Sequence, residues 1–171
     1  MTGPPALDVE GRPCPLSGER LPSGLERVDD VALLDTVRLP AGKGGLCSGA
    51  TYVARKPVRV WRLWDGSRPW TAYGGWWALG APLPPRERYR EAHAICPDWS
   101  ALDRLIVCEL KPGAVVAIGP TQSADCGAAR LPPTAHTQVY VQNQAASERV
   151  DMAQCLDGGT WPAAPAPDAA L

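Results

Sequence analysis

The stretch TYVARKPVRVWRLWDG, residues 51–66, has the residue types and the alternation of a β-strand. Its VRVWRLW core divides into two faces, one formed by Val58, Val60, Arg62 and Trp64 and the other by Arg59, Trp61 and Leu63. Both faces carry large apolar side chains, a pattern typical of strands that are covered on both sides. The stretch therefore predicts a strand at the centre of a sheet.

Arg62 is a charged residue within this predicted buried strand. An unpaired charge in a protein interior costs several kcal/mol, so buried charges are normally paired. We therefore expect Arg62 either to pair with a carboxylate or to face a cleft that takes up an anion.

The elements around this strand follow from periodicity and turn chemistry. SRPWTAYGGWWALGAPLPP predicts a turn-rich segment with a short strand at residues 76–79, and PPRERYREAHAI predicts a helix that begins at Pro85. LDRLIVCEL and VVAIGP flank KPGA, a type II turn signature, and predict a hairpin. TQVYV, residues 137–141, predicts a late strand. This order predicts a compact α+β domain with few helices and short strands in mixed or antiparallel sheets.

The predicted domain spans residues 46–150. Residues 1–45 are rich in Pro, Gly and charge and predict a lead-in, in which LERVDDVALLDTVRL forms one short packed helical stripe. Residues 151–171, which end in GGTWPAAPAPDAAL, predict a Pro/Ala-rich tail.

Composition and motifs argue against several classes of function. The chain carries 17 basic and 18 acidic residues, so bulk charge does not favour nucleic-acid or membrane binding. GKGG, residues 42–45, lacks the spacing of a phosphate-binding P-loop, and the sequence contains no HExxH or GxSxG motif. No stretch reaches the roughly 18 apolar residues of a membrane span, and the start, MTGPP, lacks the features of a signal peptide.

Tryptophan and cysteine stand out in the composition. Five of the seven tryptophans fall between Trp61 and Trp77, and such a cluster packs one small core or lines a pocket for a flat ligand. The six cysteines form no CxxC pair and the chain has only two histidines, which gives little support for a zinc site. Two interpretations of the cysteines stay open: up to three disulfides in an exported protein, or buried thiols in a reduced one.

The ordered set VWRLWDG…YGGWWALGAP…GP…TQVYV resembles the pattern of bacterial ADP-ribosyltransferase-like toxin domains over residues 51–143. In that family a first strand carries an arginine, a second strand follows a loop, and a later strand carries a catalytic Glu or Gln. The resemblance implies the α+β fold of that family, with NAD⁺ as the substrate and no metal ion. It also implies a protein that is secreted or delivered into a target cell without a signal peptide of its own, and a cognate immunity protein as partner.

The resemblance assigns roles to individual residues. Arg62 and Gln138 become the catalytic pair, and Arg62 also binds the NAD⁺ phosphates. Arg59, on the same strand, is the second choice for the phosphate arginine. The other implied NAD⁺ contacts are Tyr73 as a ring-stacking wall, Trp76 and Trp77 on the second strand, and His136 near Gln138.

The chemistry explains these residue types. Cleavage of the nicotinamide–ribose bond develops positive charge on the sugar, so the site must anchor the pyrophosphate, hold the nicotinamide and orient the ribose. The arginine fork grips phosphate oxygens, aromatic rings stack on nicotinamide, and Glu or Gln bonds a ribose hydroxyl.

The identity of residue 138 bears on the acceptor. Protein-modifying members of the family are expected to carry glutamate there, whereas NAD glycohydrolases of the necrotizing-toxin type carry glutamine; Glu109 and Glu148 are other candidates for a carboxylate. The resemblance implies transfer of ADP-ribose to an unidentified macromolecular acceptor, with NAD⁺ glycohydrolysis as the alternative. A rival from another class is a disulfide-stapled, non-enzymatic binding module with a Trp-lined groove.

Overall fold

The computed structural model describes residues 4–143 and 151–163. In these ranges the chain forms β1 (Leu25–Val28), α1 (Val31–Val37), β2 (Ala50–Ala54), β3 (Val58–Trp64), a 3-10 turn (Pro69–Thr71), β4 (Trp76–Trp77), α2 (Arg86–Ala92), β5 (Arg104–Leu110), β6 (Val115–Thr121), β7 (Ala124–Asp125), β8 (Arg130–Leu131), β9 (Thr134–Val141) and β10 (Met152–Thr160). The predicted α2 after Pro85 and the predicted late strand are confirmed, and the late strand is longer than TQVYV.

Two antiparallel sheets build the fold, which confirms the α+β class. One has five strands in the order β1-β2-β6-β9-β4, the other has three in the order β10-β5-β3, and β7 and β8 form a small ribbon. The inner faces of the two larger sheets meet in one core, to which β3 contributes Val60, β6 contributes Val116 and β9 contributes Val139. The sheets also touch at their edges, because Trp61 and Ala78 exchange backbone hydrogen bonds of 3.0 and 2.8 Å.

The central position predicted for β3 is wrong. β3 lies at the edge of the three-stranded sheet, and β5 is the central strand. Both faces of β3 are nevertheless covered: Val60 points into the main core, and Leu63 packs with Leu102 and Trp161 in a separate cluster. Alternation in a sequence reports which faces are buried and carries no information about which edges are paired.

The hairpin predicted for β5 and β6 is also wrong, although its turn is correct. Ala114 N donates to Lys111 O at 3.0 Å, and Gly113 has the positive φ of +95° that a type II turn needs. Both edges of β5 are occupied by β3 and β10, so β6 enters the other sheet between β2 and β9. The KPGA turn therefore connects two sheets.

The sheets extend beyond residues 46–150 at both ends. The predicted helical stripe in the lead-in divides into β1 and α1, because the Asp30 carboxylate caps the helix by accepting from Leu33 N at 3.0 Å. β1 pairs with β2, and β10, in the predicted tail, pairs with β5. Residues 164–171 of that tail lie outside the described residues.

All six cysteines form disulfides, Cys14–Cys47, Cys96–Cys126 and Cys108–Cys155, which settles the two open interpretations in favour of disulfides. Two of these bonds fix the outer segments: the first ties the lead-in to the domain, and the third ties β10 to β5. Three disulfides are typical of a protein from an oxidising compartment, outside the reducing cytosol.

Within the described part of the chain, no helix is long and apolar enough to cross a membrane.

Candidate functional site

A cavity of about 370 Å³ opens where β3, β4 and β9 meet the loops before β2 and after α2. We call it the Arg62 cavity, and its chemically distinctive residues are Lys43, Arg62, Trp76, His93, Trp99 and Gln138. Its volume falls in the range of about 300–1,000 Å³ that is usual for small-molecule sites. The structure thus brings three of the predicted site residues, Arg62, Trp76 and Gln138, to one cavity.

Strand pairing explains why these residues converge. β4 pairs with β9, so that Trp77 lies opposite Val139, and the next residue, Ala78, bonds to Trp61 of β3. β4 is therefore flanked by the strand that carries Gln138 on one side and by the strand that carries Arg62 on the other.

Backbone carbonyls hold the Arg62 guanidinium in place. Nε and one terminal nitrogen donate to Thr71 O at 3.0 and 2.9 Å, and the other terminal nitrogen donates to Trp76 O at 2.8 Å. These bonds use three of the five N–H groups of the side chain. Among the described residues, no carboxylate oxygen lies within ion-pair distance of Arg62.

The charge of Arg62 is half-buried without an opposite charge. Burial lowers the pKa of Arg62 to about 10, an effect that the nearby Tyr89 phenol partly offsets. The side chain stays protonated at neutral pH. Of the two expectations for Arg62, the structure supports a cation that faces a cavity, and it shows no carboxylate partner in the described chain.

The two glycines of YGGWW make room for this arrangement. A Cβ on Gly74 would collide with the Arg62 guanidinium, and a Cβ on Gly75 would lie 2.5 Å from the Tyr140 ring. Trp76 packs edge-on against the same Tyr140 ring, with ring centroids 5.0 Å apart and planes at 60°. A side chain at either position would therefore displace the Arg62 guanidinium or the Tyr140 ring on which Trp76 packs.

Gln138 is buried, with 5% of its surface exposed. Its Nε2 donates to His93 O at 3.2 Å and to Gly45 O at 3.4 Å. The amide thereby joins the end of α2 to the loop before β2, and both of these segments line the cavity.

His93 separates the Arg62 cavity from a second cavity of about 260 Å³, since it lines both. Its ring lies 4.3 Å from the Tyr89 ring and 6.0 Å from the His136 ring, measured between centroids. Burial, with a smaller effect of His136, lowers the pKa of His93 to about 4. His93 is therefore neutral at pH 7.

The low pKa of His93 predicts a loss of stability in acid. The unfolded chain takes up this proton at about pH 6.5, whereas the folded chain resists it until about pH 4. The free energy of unfolding should therefore fall as the pH decreases through this window. We expect urea midpoints at pH 7 and pH 4.5 to differ more in the wild type than in His93→Gln. Equal differences in the two proteins would contradict the assignment.

Other predicted site residues lie away from the Arg62 cavity. Arg59 is exposed on the opposite face of β3 and forms an ion pair of 4.0 Å with Glu109, so neither side chain reaches the cavity. Trp77 is 2% exposed and donates from Nε1 to Gly74 O inside the main core. The structure places Tyr73 against the same core.

His136 lines the second cavity, where its Nδ1 lies 3.6 Å from a Glu19 carboxylate oxygen. Glu148, a candidate carboxylate, lies outside the described residues.

None of the residues that line the Arg62 cavity in the described chain is acidic. No group of three or more His, Cys, Asp or Glu side chains is placed to hold a metal ion in the same part of the chain.

Sequence reasoning missed Lys43, His93 and Trp99 as residues of this site. Lys43 belongs to the GKGG segment that does not match a P-loop, and Trp99 lies in the turn after α2, outside the tryptophan cluster. Only the three-dimensional fold brings these loops next to β3. No protein-family model matches the chain, and comparisons with curated proteins and with solved structures find no match either.

Proposed function

We propose that the Arg62 cavity binds NAD⁺ and that the protein cleaves the nicotinamide–ribose bond. The observation that carries this proposal is the half-buried Arg62 guanidinium, which lacks a carboxylate partner in the described chain and lines the same cavity as Trp76 and Gln138. An anionic ligand would supply the missing charge, and the pyrophosphate of a dinucleotide is such an anion.

Arg62 suits pyrophosphate because its fork is already oriented. The carbonyls of Thr71 and Trp76 fix the guanidinium plane before any ligand arrives, and two N–H groups remain beyond these three bonds. Paired N–H···O bonds from a fixed guanidinium to phosphate are strong and directional. Preorganisation also reduces the entropy lost on binding.

Trp76 and Gln138 suit the reacting end of the substrate. The Trp76 indole offers a flat surface on which nicotinamide can stack, and its packing on Tyr140 limits its motion. Gln138 is anchored by two hydrogen bonds from Nε2 and can orient a ribose hydroxyl under the cation that forms as nicotinamide leaves.

Water is the acceptor that this site favours. Transfer to a protein side chain benefits from a carboxylate that activates the acceptor, and no acidic residue lines the cavity in the described chain. In hydrolysis the C–N bond to nicotinamide breaks and water adds to the anomeric carbon, which gives nicotinamide, ADP-ribose and a proton released to solvent. Transfer of ADP-ribose to a macromolecule is the alternative outcome of the same bond cleavage. With either acceptor the protein would be an effector that acts away from its producer, and the three disulfides support export.

The fate of the ADP-ribose distinguishes these possibilities. The oxidised protein is incubated with NAD⁺ labelled in its adenylate half, with and without cell lysate. We expect nicotinamide and free labelled ADP-ribose in both samples. Label on macromolecules only with lysate would instead establish transfer. Intact NAD⁺ in both samples would leave the rival binding module as the better account.

A further inference from the structure

The GKGG segment, residues 42–45, forms a rigid loop that we call the glycine–lysine loop. Its three glycines adopt φ values of +90°, +69° and +74°, which residues other than glycine rarely adopt. Gly42 N donates to Ser123 Oγ at 3.0 Å, and Gly44 N donates to Ser123 O at 2.8 Å. Gly45 O accepts from Gln122 N at 2.9 Å. Three of the four loop residues are thus hydrogen-bonded through their backbone to the segment after β6.

Packing leaves this loop little room for other residues. A Cβ on Gly44 would lie 3.0 Å from the Trp99 ring, and a Cβ on Gly45 would lie 2.7 Å from the Leu39 side chain. Lys43 is the residue of the loop that carries a long side chain, and it lines the Arg62 cavity together with Trp99. Lys43 is exposed to solvent, so the loop adds one lysine to the lining of the cavity.

Lys43 and Arg62 give the cavity two positive charges from separate parts of the chain. No acidic residue lines the cavity within the described ranges to neutralise them. An exposed lysine and a half-buried arginine that line one cavity favour a ligand with two negative charges over a neutral one, because each charge gains a partner.

We propose that Lys43 is the second phosphate-binding residue of the cavity and makes it selective for a dinucleotide pyrophosphate over nucleosides that lack phosphate. This inference rests on the proposed function. Arg62 supplies a fixed fork, whereas the ammonium of Lys43 is a point charge on a flexible stem that can follow the second phosphate.

The test compares the wild type with Lys43→Met in steady-state kinetics on NAD⁺ and on nicotinamide riboside, which has the same scissile bond without phosphate. We expect Lys43→Met to raise KM for NAD⁺ about tenfold, equivalent to about 1.4 kcal/mol, with kcat unchanged. KM for nicotinamide riboside should be the same in both proteins. Lys111→Met is the matched control, because Lys111 is exposed on the β5–β6 turn, and it should match the wild type.

ADP-ribose binding separates failure of this inference from failure of the proposed function. ADP-ribose retains the pyrophosphate but lacks the nicotinamide–ribose bond. Calorimetry therefore measures its binding affinity without any reaction. Weaker binding of ADP-ribose by Lys43→Met than by Lys111→Met supports the inference even if NAD⁺ stays intact. Equal affinities in the two variants, or no binding by the wild type, would overturn it even if NAD⁺ is cleaved.

Discussion

Arg62→Ala is expected to lower kcat/KM for nicotinamide release from NAD⁺ by about a hundredfold or more. Each hydrogen bond from a charged group contributes about 1.5–3 kcal/mol, and the fork can give two such bonds to the pyrophosphate. A loss of about 3 kcal/mol corresponds to about two orders of magnitude in rate. The measurement is the initial rate of nicotinamide formation at low NAD⁺ concentration.

Arg59→Ala is the matched control for this prediction. Arg59 lies on the same strand but on the opposite, exposed face, and its ion pair of 4.0 Å with Glu109 is of the kind that contributes little to stability. We expect Arg59→Ala to keep the wild-type rate. A kcat/KM equal to that of the wild type in Arg62→Ala would show that Arg62 does not bind NAD⁺.

The Gly74→Ala variant distinguishes loss of the Arg62 contact with NAD⁺ from misfolding as the cause of lost activity. Arg62 also bonds two backbone carbonyl groups, so its removal affects the local structure as well as the charge. The Cβ of an alanine at position 74 would displace the guanidinium while the charge stays on the chain. We expect Gly74→Ala to retain the far-UV circular dichroism of the wild type and to lose most of its activity.

Reduction of the three disulfides is expected to unfold the protein near 37 °C. The bonds close loops with sequence separations of 33, 30 and 47 residues. A loop of this size contributes about 3–4 kcal/mol by restricting the unfolded chain. Three such contributions are comparable with the whole stability of a domain, about 5–15 kcal/mol. Thermal melts with and without a phosphine reductant measure the effect.

Double serine variants show which disulfide matters for the cavity. Cys96 follows Ala94 and Ile95, which line the Arg62 cavity, whereas the Cys108–Cys155 bond joins β5 to β10, the edge strand that does not pair with β3. Removal of Cys96–Cys126 should therefore weaken ADP-ribose binding more than removal of Cys108–Cys155. Six free thiols in the native protein, or melts that do not respond to reductant, would contradict the pairing.

Local patterns predicted the elements whose structure is decided locally. The alternation of VRVWRLW identifies β3, Pro85 marks the start of α2, and the Pro–Gly pair of KPGA produces the turn at Gly113. In each case a few adjacent residues restrict the backbone, so a short stretch of sequence contains the necessary information.

Strand partners could not be predicted in the same way. β5 and β6 follow each other across a tight turn, yet they pair in different sheets because β10 occupies an edge of β5. β10 reads MAQCLDGGT, in which adjacent glycines and few β-branched residues give little strand signal. Its pairing with β5 and the Cys108–Cys155 bond hold it in place.

The residues of the candidate site differ in the same way in how far the sequence predicts them. Arg62, Trp76 and Gln138 come from strands that the sequence marks, and the resemblance names them. Lys43 and Trp99 come from loops that meet the strands only after folding. Membership of the ADP-ribosyltransferase-like family and activity on NAD⁺ stay predictions.

Nicotinamide release by the oxidised wild-type protein, measured beside Arg62→Ala and Arg59→Ala, shows whether the Arg62 cavity cleaves NAD⁺. We expect nicotinamide to accumulate in proportion to the amount of wild-type protein, to form at the same rate with Arg59→Ala and to nearly vanish with Arg62→Ala. Absence of nicotinamide from the folded, disulfide-bonded wild type, or equal rates in the two arginine variants, would contradict it.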